Sequence, residues 1–124
     1  MPNITKVTSL QGETANYQVA AAGNQDVLTG VADGTPAGTF TTLKTNLLLV
    51  ANPHASTAAV ATISLAINSG TARNIAVVSI PAQATLDVLS GPLYINAGDT
   101  LNVAVTGTAV DVTVSYEKLI NSED

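Results

Sequence analysis

Cysteine and tryptophan are absent from this 124-residue chain, which has one phenylalanine, one histidine and one methionine. Without cysteine there is no disulfide framework and no thiolate metal site, so stability has to come from packing and association. With three tyrosines and one phenylalanine as its aromatics, the chain must build its core from Val, Leu, Ile and Ala, in thin, closely apposed layers. Basic residues are equally scarce. Lys6, Lys44, Arg73 and Lys118 stand against nine acids, for a formal net charge of −5. That balance removes the counterion-release contribution to nucleic-acid affinity, and the chain has no base-stacking platform, so no nucleic-acid partner is expected. No apolar run approaches the length that crosses a bilayer, and the stretch from Met1 to Lys6 carries none. The expectation is a product made soluble in a cytoplasm, with no membrane partner. Asn3-Ile4-Thr5 matches a glycosylation sequon and, with no secretory signal before it, reads as chance.

What the chain does have is β-branched residues. Thr, Val and Ile make up 38 of the 124 positions, and these side chains lose rotamer freedom in helices while packing well on pleated sheets. The length fits one domain with one core. Between Thr45 and Leu86 the single formal charge is Arg73, while apolar and small polar residues alternate in steps of two. That is the pattern of strands with one buried face and one neutral face, and a surface so poor in charge is suited to contact.

The chain divides into residues 1–42, an N-terminal arm with edge strands, residues 43–120, a β-sandwich core, and residues 121–124, a short acidic tail, all in one domain. In the first part Gly12, Gly23, Gly30, Gly34 and Gly38 interrupt the apolar runs, and short strands are expected near Tyr17 to Ala21 and Asp26 to Val31. Leu47-Leu48-Leu49-Val50 is apolar on both faces of a strand, so it lies centrally between covered surfaces or turns one face to another subunit. From Val60 to Asn68, Ile63, Leu65 and Ile67 face one way and Thr62, Ser64 and Ala66 the other, and Asn68-Ser69-Gly70 turns the chain. Further strands follow at Asn74 to Ile80, Thr85 to Leu89, Leu93 to Ile95 and Leu101 to Val105. A last strand alternates Val110, Val112, Val114 and Tyr116 with Asp111, Thr113, Ser115 and Glu117. Seven to nine short strands with regular turns predict an all-β, antiparallel two-sheet sandwich of jelly-roll-like connectivity.

Catalytic equipment is sparse. His54 follows Pro53 in a loop with no carboxylate nearby to orient it, and Ser56 is a poor nucleophile beside it, so the imidazole reads as a solvated loop group. The acids are scattered, and Asp99, after Gly98, is expected to accept backbone hydrogen bonds in its own turn. A calcium site using Asp26, Asp33 or Asp99 lacks a ligand-spaced acidic loop. Gly30, Gly34 and Gly38 are followed by no Gly-Lys-Ser/Thr, so no phosphate loop is read. Tyr17, Tyr94 and Tyr116 would make a sugar-stacking platform only on a shared surface, and the loops around Asp33 and His54 are the other place for a glycan. No catalytic residue, metal or cofactor is assigned, and the chain is not read as an enzyme.

Five segments resemble small β-sandwich virion proteins of tailed bacteriophages. They are Leu48 to Pro53; Ile80-Pro81-Ala82 with Thr85-Leu86; Gly91 to Ile95; Asn96 to Leu101; and Val110 to Tyr116. Together they span about Leu43 to Ile120. The resemblance implies a structural protein of head, neck, tail or fibre and carries over no catalytic residue. The leading expectation is a capsid decoration or cement protein, a homotrimer that binds the major capsid protein on the virion and stabilises the shell. Its protomer contacts would use Leu47, Leu48, Leu49, Val50, Thr62 and Ser64, and its capsid-contacting arm Ile4, Val7, Leu10, Tyr17 and Phe40. A neck, tail or fibre protein and a host-surface carbohydrate-binding module are the alternatives.

Overall fold

A computed structural model describes residues 7–32, 39–89 and 91–122. Ile4 and Asp33 therefore lie outside the described residues. The chain runs through nine strands: β1 (Val7–Val19), β2 (Gly23–Thr29), β3 (Thr39–Asn52), β4 (Ala59–Ala66), β5 (Arg73–Ile80), β6 (Ala84–Asp87), β7 (Leu93–Ile95), β8 (Thr100–Thr106) and β9 (Val110–Ser122). They form two antiparallel sheets. Sheet A has the order β1-β9-β3-β6, with β7 also on β3, and sheet B has the order β2-β8-β4-β5.

The pairings nest. The first strand lies along the last, β2 along β8, β3 along β6 and β7, and β4 along β5. A long hairpin rolled onto itself gives this order, so the architecture is a jelly roll, the antiparallel sandwich that the strand periodicity predicts. Residues 7–32 supply an edge strand to each sheet. β1 pairs with β9 from Val7↔Asn121 to Val19↔Val110, with a bulge between Val7 and Ser9, and β2 pairs with β8 from Gly23↔Val105 to Thr29↔Thr100, with a bulge between Asp26 and Leu28.

Period-two alternation sends one set of side chains inward from each sheet. Val110, Val112 and Val114 of β9 and Leu48 and Val50 of β3 meet Ile63 of β4 and Leu101, Val103 and Val105 of β8, all essentially without solvent exposure. Among the described residues no buried side chain is aromatic. A bulge in β3 between Thr45 and Leu47 shifts the alternation by one, so Leu43 and Thr45 share the inward face with Leu48 and Val50. Thr45 is buried without cost to its hydroxyl, because Oγ1 donates to the Leu93 carbonyl at 2.7 Å.

Candidate functional surfaces

The polar side chains that looked most like chemistry are holding turns. The Asp99 carboxylate is buried and accepts two backbone N–H groups, from Asn68 on Oδ1 and Asn96 on Oδ2, each at 2.9 Å. The expected bond within its own turn is the one from Asn96. The bond from Asn68 reaches 31 residues away and clips the β4–β5 turn to the β7–β8 turn. Ser69 N–H donates to the Gly98 carbonyl and Gly30 N–H to the Asp99 carbonyl, so the end of β2 joins the same knot. A side chain at position 30 has no room, since its Cβ would collide with the Asn96 carbonyl oxygen. Gly98 adopts φ +84° in the same turn, a conformation open to glycine at no steric cost. With both oxygens committed, Asp99 is a structural acceptor.

His54 is exposed, and its Nδ1 accepts the backbone N–H groups of Ser56 and Thr57 at 3.1 and 3.0 Å. Its own N–H donates to Asn52 Oδ1, while Asn52 Nδ2 donates to the carbonyls of Thr57 and Ile80. The imidazole thus braces the loop that follows β3, and Ser56 meets it through the backbone. Asp26 stands on the outer side of β2 and accepts from Asn102 Nδ2 at 2.8 Å. Among the described residues no three His, Cys, Asp or Glu side chains group as metal ligands, and no helix is long and apolar enough to cross a membrane.

The tyrosines divide. Tyr17 and Tyr116 lie on the inward side of sheet A, partly buried against the core, where Glu13, Leu28, Leu43 and Lys118 join them around an open cleft of about 270 Å³. Burial first, and then the Glu13 carboxylate that accepts its hydroxyl hydrogen bond, raise the Tyr116 phenol above its ordinary 10.0, with Tyr17 adding to the effect. Tyr94 alternates with the buried Ile95 and is exposed on the outer side, opposite Lys44. The three rings therefore share no stacking surface.

The six residues expected at one protomer interface separate into three places. Leu48 and Val50 are core. Leu47 and Leu49, half-buried, face outward from sheet A beside Ser115 and Thr113. Thr62 and Ser64 face outward from sheet B. Because the outer sides of a sandwich point in opposite directions, these residues do not make one patch. On sheet B, Thr62 lies between Val77 and Ala104, and Ser64 between Asn74 and Asn102. Exposed Val60, Ile75 and Val77 complete that surface.

The residues expected in a capsid-contacting arm also separate. Tyr17 points inward. Val7 begins β1, opposite Asn121. Leu10, 61% exposed, stands opposite Leu119 on the outer side of sheet A, and Phe40, two residues before Leu119's other partner Thr42, stands on the same side. Leu10, Leu119 and Phe40 thus form a small apolar cluster at one end of sheet A. Leu10 and Phe40 were expected on one surface from the sequence, and Leu119 escaped that reading because its place beside them depends on the β1–β9–β3 register.

No protein-family model matches the sequence, and neither does any curated protein. Solved structures align with the chain at low identity. The Drosophila NLP core, studied for pentamer formation and histone binding, is 12% identical over 92% of this chain and 99% of that one, with a TM-score of 0.43. A chain of the Bacillus endospore appendages, a family of disulfide-linked pili, is 8% identical over 94% of this chain and 90% of that one, with a TM-score of 0.39. In infectious bursal disease virus, Gt strain, the values are 13%, 94%, 34% and 0.36. At these scores the likenesses bear on neither partner nor activity.

Proposed function

We propose that this chain is a structural virion protein that works by contact, and specifically a decoration or cement protein of a tailed-phage head. The observation that carries this reading is the outer side of sheet B. Its four strands contain two charged residues, Asp26 and Arg73, and present Thr, Ser, Asn and Ala around exposed Val60, Ile75 and Val77. Neutral, partly apolar surface that the core does not need is the mark of an association site. A jelly roll alone would not decide the matter, since shells, lectins and enzymes all use it. The resemblance over Leu43 to Ile120 supplies the phage setting.

In this reading the Leu10, Leu119 and Phe40 cluster meets the shell and other surfaces meet copies of the same chain. Binding the assembled lattice in preference to free subunits stabilises it by linkage, and the effect multiplies over bridged sites. Removing residues 1–40 would strip an edge strand from each sheet, so point substitution is the cleaner test. Purified chain should co-sediment with capsids that lack it and saturate at a fixed ratio to the capsid protein. Leu10→Lys should lower that binding about tenfold or more, the effect of losing one well-buried anchor. No saturable binding by the unaltered chain would overturn the reading.

A further inference from the structure

Two sheets with free edges invite pairing with other strands, and proteins protect such edges with charge, shortness or bulges. Among the described residues, sheet A is bordered by β1 on one side and by β6 and β7 on the other, and sheet B by β2 and β5. β1 runs Val7–Val19 with Glu13 at its centre, and β2 runs Gly23–Thr29 with Asp26 at its centre. Laid against a second copy of itself in full antiparallel register, either strand would set two carboxylates opposite each other, which is destabilising. β6 is four residues long and ends in Asp87, and β7 is three residues long.

β5 differs from all four. It runs Arg73–Ile80 with its one charge at the first position, and it carries Val77 at 63% exposure and Ile75 at 43%. Its inward residues, Ala76, Val78 and Ile80, already belong to the core. Its protective feature is a bulge opposite the Ile63–Ser64 step, which lies toward one end and leaves Ala76 to Ile80 regular.

We propose that β5 pairs with β5 of a second copy across a two-fold axis at Val77, joining the two B sheets into one continuous sheet. In that register Val77 faces the partner's Val77, Ile75 faces Ser79, and Arg73 falls opposite Pro81, so no like charges meet. Cross-strand pairs of β-branched residues on one face are favourable, and the outer surface of each sheet B continues into its mate. The contact is isologous and closes at two copies. It differs from the three-fold expectation, whose interface residues lie on surfaces pointing in opposite directions. It deepens the association reading above and rests on it for its biological use, while the contact itself belongs to the isolated chain.

Sedimentation of the purified chain over a concentration series tests this directly, because a virion role and self-pairing are then measured separately. The expected result is a rise from 12.5 kDa to twice that mass, with Val77→Lys remaining a single copy at all concentrations and keeping its β-sheet circular dichroism. Since the chain has no cysteine, Val77→Cys adds one thiol at the axis. Opposed Cα atoms there would be about 4.5–5.5 Å apart, within disulfide range. Oxidation should give covalent dimer from Val77→Cys and none from Asn16→Cys on the β1 edge. A single-copy or trimeric mass for the unaltered chain, doubling that survives Val77→Lys, or equal cross-linking at both positions would overturn the proposal.

Discussion

Sheet A carries Glu13, Lys44, Asp87, Asp111, Glu117 and Lys118 along its strands, whereas sheet B carries Asp26 and Arg73. Inward, the two are alike: Leu48, Val50, Val112 and Val114 from one meet Ile63, Leu101, Val103 and Val105 from the other, all excluded from water. Folding therefore makes the same demand of both sheets, and the difference lies on the solvent side, where folding demands little. Four of sheet A's six, Lys44, Asp87, Asp111 and Glu117, stand on the outer side that packing leaves free, and the contrast with sheet B reflects what each surface meets. Sheet A is dressed for water over much of its area, and sheet B is dressed for contact, most of all along β5.

The first way to break that comparison is in the core. Leu48→Ala in sheet A and Ile63→Ala in sheet B should each cost about 2–5 kcal/mol in denaturant unfolding, by lost burial plus cavity. Costs of similar size would uphold the inward equivalence, and a nearly neutral Ile63→Ala would break it. Next comes the knot at the sandwich end. Asp99→Ala leaves two backbone N–H groups without their acceptor and should cost about 2–4 kcal/mol, with faster amide exchange at Asn68 and Asn96. Smaller effects sharpen the contrast outside. Val60→Ser and Thr113→Ser, on the outer sides of sheets B and A, should each stay within about 1 kcal/mol of the parent. Of the two, Val60→Ser should weaken self-association, read by sedimentation.

The smallest effect is at Tyr116. Its phenol is raised in the folded chain, so the stability this contributes is complete below the unfolded value near 10.0 and is lost as pH rises through the folded one. Alkaline melts above about pH 10 should therefore fall more steeply for the parent than for Tyr116→Phe. Identical alkaline profiles would remove the Glu13–Tyr116 contact from the account.

Much of the second half was legible from alternation alone. Leu93 to Ile95 is β7 as read, the strand expected at Asn74 to Ile80 is β5 one residue longer, and Val110, Val112 and Val114 face inward as their spacing required. The first half was less legible for physical reasons. β1 was expected near Tyr17 to Ala21 and runs Val7–Val19. Its inward positions beyond Ala15 are Glu13 and Gln11, so no apolar period marks it. It holds because β9 offers a long partner edge. In β3, four consecutive apolar residues from Leu47 to Val50 signalled two covered faces, whereas Leu48 and Val50 are core and Leu47 and Leu49 face outward half-buried. Asp99 was readable as far as its own turn, but its bond to Asn68 comes from folding and has no local signal. The candidate surfaces were legible as neutral segments. Which residues share a patch required the register.

The central claim, that this chain serves as a many-copy structural component of a virion, is tested most directly by counting it. Quantitative mass spectrometry of purified particles, scaled to the major capsid protein, should find hundreds of copies for a shell-wide decoration protein. A few to a few dozen copies would move it to neck, tail or fibre, and its complete absence from the particles would contradict the account.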